Sequence, residues 1–449
     1  MSFLPDVDHV LGIAERGLKK EAFGQVRAVA GLRIEVVGLE SAVGDLCLVQ
    51  GPQGETPAEV VAFGQGHLIL MPLTDTRGIS PGDRVYSTSR PLSIRVGPQL
   101  LGRVLDGLGE PLDGGPAIRG QERPLLADCP SPLSRPQITD SIETGISSID
   151  GFMTLGKGQR LGIFAGSGVG KSTLTGMLAR GSSADVNVIA LIGERGREVR
   201  DFLEESLGTL GLARSVLIVA TSDASPLLRF KATFSAIAVA EYFRDQGKDV
   251  LFIMDSVTRF ATAAREIGLT VGEPPTLRGY PPSLFAELPR VVERLGNTEQ
   301  GSITGLFTVL VEGDDFNEPV SDAMRGLLDG HVILDRRIAT KSQFPAIHVL
   351  QSISRLMSRI VRPDHLEAAQ LLRRLMAVYD ENRDLIQVGA YRPGIDAELD
   401  LAVQLMPHIE ALVFHGTEVR PMESTLHGML QLAAQAQSLL QGREDRIPI

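Results

Sequence analysis

The segment AGSGVGKS at residues 165–172 limits the folds open to this chain more than any other feature of its sequence. An apolar run at residues 160–164 precedes it, and a helix-like stretch at residues 172–180 follows. Its three glycines let main-chain N–H groups turn inward around phosphate oxygens. This strand–loop–helix pattern predicts a phosphate-binding loop and a site for a nucleoside triphosphate. The first position holds alanine in place of glycine, a minor departure because the turn there needs only a small residue.

Each part of the loop has a predicted role in holding a nucleoside triphosphate and Mg²⁺. Lys171 is expected to reach the β- and γ-phosphates, and the Ser172 hydroxyl is a predicted Mg²⁺ ligand. The predicted nucleotide-binding residues of the loop are Ala165, Gly166, Ser167, Gly168, Val169, Gly170, Lys171, Ser172 and Thr173.

Two acidic residues follow apolar strands and complete the predicted chemistry. Asp255 ends the run VLFIMD at residues 250–255, the pattern of a strand that holds Mg²⁺ through a carboxylate. Glu194 follows the run that ends at Ile192, so it should emerge at the carboxyl edge of the sheet, where ligands bind. A carboxylate there can polarise a water for attack on the γ-phosphorus. The pattern alone equally fits a surface ion-pair cluster of Glu194 with Arg195 and Arg197.

The hydrophobic pattern divides the chain into four parts. Residues 1–20 predict an amphipathic helix, which either packs on its own domain or docks a partner. Short β-rich runs predict a small β-barrel over residues 21–92. Strand–helix alternation over residues 93–360, which includes a helix predicted at residues 197–207, predicts an α/β domain with a parallel sheet. Residues 361–449 predict a helical C-terminal domain, with one helix running from Asp364 to about Ile386.

Composition excludes several classes of protein. The net charge of −11 disfavours binding to nucleic acid or to an anionic membrane surface. Cys47 and Cys129 lie far apart and do not have the spacing of a metal site. The sequence predicts neither a secretory signal nor a membrane span, so we expect a cytoplasmic protein that reaches a membrane only through partners.

Several motifs resemble one known family. GERGREV at residues 193–199, IMDSVTRF at 253–260 and PAIHVLQSIS at 345–354 follow the loop in the order typical of rotary ATP synthase subunits. ATSDASPL at residues 220–227, EYFRDQGK at 241–248 and VEGDDFNEP at 311–319 are typical of a narrower group. Together the motifs resemble the flagellar protein export ATPases, members of the type III secretion ATPase family. The resemblance covers nearly the whole chain, from about residue 23 to about residue 440, and implies that residues 93–360 form a RecA-like P-loop ATPase domain.

The resemblance implies roles for particular residues. Lys171, Glu194, Asp255 and Arg355 match catalytic positions of the family, Arg355 being the arginine finger that reaches a neighbouring subunit's nucleotide. Asp255 matches the Mg²⁺-linked aspartate, and Phe344 sits where an aromatic stacks on adenine. An arginine supplied by a neighbour makes a monomer a poor enzyme, so a homohexamer is the expected active state.

The resemblance also implies a place of work and partners. We expect ATP hydrolysis to energise protein export through a flagellar type III apparatus at the inner membrane. The expected partners are a stator-like regulator, a stalk protein, export substrates and their chaperones. The alternatives are an injectisome ATPase, which shares every motif, an ATP synthase catalytic subunit, an RNA translocase and a non-catalytic scaffold. The acidic charge and scarce aromatics of the barrel region disfavour the RNA translocase, and Glu194 with Asp255 disfavours a scaffold.

Overall fold

A computed structural model describes residues 23–52, 54–311, 313 and 315–444, with side chains to residue 440. The predicted helix over residues 1–20 lies outside the described residues. Two compact units divide the described chain. One contains the residues up to Leu92 together with Ser225–Leu227 and Ile267–Glu273, and the other contains the remainder.

The first unit is built on a closed six-stranded barrel with the strand order β1-β2-β5-β4-β3-β6. Inward-facing Val26, Ile34, Val49 and Val60 are nearly or fully buried and fill its interior. Closure leaves no unpaired strand edge, which suits a small sheet. The strands are β1 Phe23–Ala30, β2 Arg33–Val37, β3 Asp45–Gly51, β4 Gly54–Gly64, β5 His67–Pro72 and β6 Arg84–Pro91.

A nine-stranded sheet forms the centre of the second unit. Its order is β19-β18-β12-β17-β15-β13-β14-β8, with β16 pairing off that path to β17. The remaining strands form two small pairs, β7 with β9 and β10 with β11. The strands are β7 Ser93–Val96, β8 Val104–Asp106, β9 Gln121–Pro124, β10 Ser141–Ile142, β11 Leu155–Gly156, β12 Arg160–Ala165, β13 Val186–Ile192, β14 Ser215–Ala220, β15 Asp249–Asp255, β16 Gly296–Asn297, β17 Ser302–Leu310, β18 Gly330–Leu334 and β19 Ile353–Ser354.

Helices surround this sheet and then continue alone toward the C-terminus. They are α1 Ser147–Phe152, α2 Lys171–Gly181, α3 Gly196–Asp201, α4 Gly208–Ala213, α5 Pro226–Asp245, α6 Val257–Val271, α7 Pro282–Glu293, α8 Pro319–Leu327, α9 Arg336–Thr340, α10 Met357–Ile360, α11 Pro363–Glu381, α12 Arg383–Gln387, α13 Ala397–Val413 and α14 Met422–Glu444. Among the described residues, no helix is long and apolar enough to cross a membrane.

The parallel pairing of the central strands determines which residues lie at the carboxyl edge of the sheet. Strands β12, β13, β15 and β17 run parallel, so their carboxyl ends meet at one edge of the sheet. Ile163, Ile189 and Ile253 on these strands are fully buried, as expected where helices cover both faces. This architecture confirms the predicted fold class, an α/β RecA-like core with an N-terminal β-barrel and a C-terminal helical region.

Two predicted helices differ in detail. The helix predicted over residues 197–207 is α3 followed by a π-helical turn at Phe202–Leu207, whose terminal residues are both buried. The helix predicted from Asp364 to about Ile386 begins at Pro363 and breaks at Asn382, whose amide group donates to the Val378 carbonyl and ends α11. Local hydrogen bonding of the asparagine side chain outweighs the helical pattern there.

Candidate active site

The loop between β12 and α2 is shaped by glycine. Gly168 and Gly170 have φ values of 78° and 93°, which only glycine adopts readily. Val169 between them is buried in the core and anchors the loop, while Ser167 and Gly168 are exposed. The loop therefore ends at the N-terminus of an eleven-residue helix, where free N–H groups and the helix dipole favour an anion.

Three charged side chains meet beside this loop. The Lys171 ammonium contacts the Asp255 carboxylate directly and lies 3.5 Å from Oε1 of Glu194. Burial acts to lower the pKa of Lys171, but the two carboxylates outweigh it and raise that pKa. The side chains are only 11%, 5% and 15% exposed for Lys171, Asp255 and Glu194. The structure thus brings three predicted catalytic residues together at the carboxyl edge of the sheet.

The pKa of Glu194 is shifted toward neutrality. Burial raises its pKa to about 7, against the opposing effect of Lys171, and Asp255 and Glu198 raise it further. The residue before it, Gly193, has a φ of 70° and packs against the Arg259 side chain. A carboxyl with a pKa near neutrality can accept a proton from water at physiological pH. The Glu194 side chain is thus part of a half-buried charge cluster, unlike an exposed surface ion pair.

Asp255 has a further contact that sequence reasoning missed. The Thr308 hydroxyl donates a hydrogen bond of 2.8 Å to its Oδ1 oxygen. Thr308 is fully buried on β17, the strand next to β15 in the sheet. A threonine within an apolar strand gives no signal of this kind in a sequence, because the contact depends on the register of two strands far apart in the chain.

Phe344 lies beside the loop. A Cβ placed on Gly170 would meet the Phe344 ring at 3.6 Å. The Phe344 carbonyl accepts a 2.7 Å hydrogen bond from Gly416, so the segment between α13 and α14 holds this position. The structure therefore places an aromatic ring next to the phosphate-binding loop, where the base of a bound nucleotide could reach it.

Arg355 lies apart from the other predicted catalytic residues. It follows β19, which pairs antiparallel with the first residues of β18. The Arg355 amide donates to the Asp329 carbonyl, and the Asp329 amide donates to Arg160 at the start of β12. These bonds place Arg355 at the amino edge of the sheet, opposite the loop that follows Ala165.

The oxygen atoms at the carboxyl edge suit a hard divalent cation that also binds oxygen atoms of the substrate. Ser172 offers a hydroxyl and Asp255 a carboxylate, which are oxygen ligands of the kind that Mg²⁺ prefers. Among the described residues, no group of three or more His, Cys, Asp or Glu side chains could hold a metal by itself. This donor set fits a cation that completes its coordination with phosphate oxygens and water.

Comparisons with known proteins agree along most of the chain. Residues 145–354 match the nucleotide-binding domain of the ATP synthase alpha/beta family, and residues 26–89 match the beta-barrel domain of that family. Residues 361–431 match the C-terminal domain of the type III secretion ATPase EscN.

Individual relatives match over nearly their full length. The flagellum-specific ATP synthase of Bacillus subtilis is 52% identical over 401 residues, covering 88% of this chain and 91% of the relative. The type 3 secretion system ATPase of Xanthomonas euvesicatoria is 52% identical over 408 residues, covering 90% and 92%. The solved structure of the assembled ATPase EscN from enteropathogenic E. coli superposes with a TM-score of 0.86 at 42% identity, covering 91% of this chain and 100% of that one. The chain is therefore an ATPase that belongs to the family of flagellum-specific ATP synthases and type III secretion system ATPases.

Proposed function

We propose that this ATPase hydrolyses ATP with Mg²⁺ at sites shared between adjacent subunits of a homohexamer. One observation carries the proposal, namely the position of Arg355 at the edge of the sheet opposite Lys171, Glu194 and Asp255. The six residues of β12 separate the two edges by about 20 Å, which exceeds the reach of an arginine side chain. Arg355 therefore serves the site of a neighbour, and the neighbour's loop faces it across the seam.

The residues at the carboxyl edge bind the nucleotide and Mg²⁺ and activate the attacking water. The loop amides and Lys171 bind the phosphates, Phe344 contacts the base, and Ser172 and Asp255 are the proposed Mg²⁺ ligands. Bound Mg²⁺ would neutralise charge that develops between the β- and γ-phosphates. Glu194 orients a water and accepts its proton as the water oxygen bonds to the γ-phosphorus and the bond to the ADP oxygen breaks. Thr308 holds the Asp255 carboxylate in place.

The substitution Arg355→Ala tests the shared site. The variant should bind ATP and assemble like the wild type, while hydrolysis falls by about 10³-fold or more, the range of arginine fingers. ATP binding, particle mass and steady-state turnover are measured on the same preparation. Turnover within a few fold of the wild type in the assembled variant would refute a site completed by the neighbour.

The proposed use of hydrolysis is export of proteins through a flagellar type III apparatus. Relatives named flagellum-specific ATP synthase in Bacillus subtilis, Treponema pallidum and Salmonella typhimurium are 52%, 50% and 48% identical to this chain. The injectisome alternative has support of its own from the 52% identical Xanthomonas protein and from EscN. Several flagellar relatives at this level favour the flagellar function.

The same relatives suggest partners and location. EscN has been solved in complex with its central stalk EscO, and we extend a stalk protein to this chain. A stator-like regulator, export substrates and chaperones complete the proposed partners, with residues 1–20 as the regulator's docking segment. The protein would then work in the cytoplasm, held at the inner membrane by the export apparatus, with no role for nucleic acid.

A chromosomal Glu194→Gln substitution in the host distinguishes the two export systems. Loss of flagellar hook and filament export, with injectisome secretion intact, would support the flagellar function. The opposite pattern would support the injectisome alternative. An Arg359→Ala strain serves as the control, since that exposed arginine lies outside the proposed site.

A further inference from the structure

Two arginines stand together at the amino edge of the sheet. Nη2 of Arg355 donates to the main-chain carbonyl oxygen of Arg325, with 3.4 Å between the nitrogen and the oxygen. Arg325 lies close to the C-terminal end of α8. Both side chains are exposed. Within the described part of the chain, neither guanidinium has a carboxylate within 4.0 Å. No described carboxylate therefore neutralises these two positive charges, and an anion from outside the described residues could pair with them.

The acidic residue whose carbonyl accepts from the Arg355 amide is already paired. Asp329 lies between the two arginines in sequence, and its carboxylate accepts hydrogen bonds from the Arg160 main chain at 3.0 Å and from its guanidinium at 3.1 Å. Arg160 also pairs with Glu293 at 2.9 Å. Asp329 and Glu293 are thus held by a separate ion-pair network with Arg160, and they do not pair with Arg325 or Arg355.

A third residue, His331, lies close enough to feel both charges. His331 on β18 has its pKa lowered first by burial, and then by the positive charges of both Arg325 and Arg355. Its ring therefore stays neutral at pH 7, and the positive charge of the patch comes from the arginines. The carbonyl end of α8 partly stabilises this charge through the helix dipole, as is usual for a cation at a helix C-terminus.

We propose that Arg325 acts beside Arg355 as a second positive group for the triphosphate of the adjacent subunit. This inference rests on the shared site proposed above. In phosphoryl transfer the negative charge spreads over three equatorial oxygens, so one guanidinium contacts only part of it. Repulsion between two neighbouring positive charges is relieved when an anion enters between them. Arg325 forms no covalent bond. It stabilises the charge that develops as the water oxygen bonds to the γ-phosphorus and the bond to the ADP oxygen breaks.

The test compares Arg325→Ala, Arg325→Lys and Arg359→Ala in the full-length assembled protein. Three quantities are measured: turnover, the Kd of a non-hydrolysable ATP analogue, and the Kd of ADP with Mg²⁺ and aluminium fluoride, a mimic of the transferring phosphoryl group. Arg325→Ala should lower turnover and weaken the mimic by about 10- to 100-fold while changing the ATP-analogue Kd less than threefold. Arg325→Lys should recover part of the loss, and Arg359→Ala should resemble the wild type.

Two results would overturn the inference. One is turnover of assembled Arg325→Ala within twofold of the wild type. The other is equal weakening of both nucleotide forms, which indicates a structural role. Arg355→Ala measured in parallel separates this inference from the shared site. If Arg355→Ala hydrolyses normally, the shared site fails. If only Arg325→Ala hydrolyses normally, the shared site stands and Arg325 has no part in it.

Discussion

Replacing Glu194 by glutamine should stabilise the protein while abolishing hydrolysis. The pKa of Glu194 rises from its ordinary value of 4.5 to about 7, chiefly because the side chain is buried. The contribution of a raised carboxyl pKa to stability is fully present below the ordinary pKa of 4.5. It is lost as pH rises from there through about 7, because the unfolded chain releases the proton first. The charged form of Glu194 therefore costs the folded state about 3 kcal/mol above pH 7. Glutamine has a similar shape and never carries this charge.

The assay is urea unfolding of wild type and Glu194→Gln without nucleotide, at about pH 5 and about pH 8. At the lower pH the two proteins should differ by less than about 1 kcal/mol, because that pH lies close to the ordinary pKa of 4.5 and the unfolded chain has released little of its binding free energy for the proton. At the higher pH the variant should be more stable by up to about 3 kcal/mol. Glu205→Gln, at an exposed glutamate beyond α3, is the matched control and should show no such pH-dependent gain.

The functional half of this prediction uses the same variant. Glu194→Gln should bind ATP and fail to cleave it, because an amide does not accept the proton of the attacking water. Equal stability of the two proteins at about pH 8 would refute the buried-charge reasoning. Near-native turnover in Glu194→Gln would instead remove the general-base role.

Three further substitutions follow from the contacts at the carboxyl edge. Lys171→Ala should weaken ATP binding, measured by calorimetry, by about 100-fold or more, because the phosphates lose a buried positive charge that pairs with them. An ATP affinity within threefold of the wild type would contradict this prediction. Thr308→Val should raise the Mg²⁺ concentration for half-maximal turnover by about 10-fold, because Asp255 loses an orienting donor, and an unchanged Mg²⁺ titration would exclude that role. Phe344→Ala should raise the Kd of ATP by about 10-fold and leave that of inorganic triphosphate unchanged. Phe63→Ala, at an exposed barrel residue, is its control, and equal losses for both ligands would contradict stacking on the base.

The parts of the fold that depend on local pattern were predictable from the sequence. The glycine-rich loop between an apolar run and a helix predicted the position of a phosphate site, and the loop lies between β12 and α2 as expected. Glu194 and Asp255 each follow a buried strand. Because parallel strands end at the same edge, their approach to Lys171 could be anticipated without knowing the order of the strands.

Features that depend on strand register or on side-chain competition were not predictable. The contact of Thr308 with Asp255 requires β17 to lie next to β15, which no local pattern indicates. The break at Asn382 reflects one side-chain hydrogen bond within an otherwise helical stretch. The position of Arg355 follows from the antiparallel return of β19 along β18, which no local pattern indicates.

The most direct test of the shared site mixes two inactive variants. Glu194→Gln subunits have a defective site of their own and an intact Arg355, while Arg355→Ala subunits have the reverse. Some seams in a mixed ring join an intact site to an intact arginine, so the mixture should hydrolyse ATP well above either variant alone. Turnover that stays at the level of the two separate variants, in rings shown by mass to contain both, would contradict a site formed between subunits.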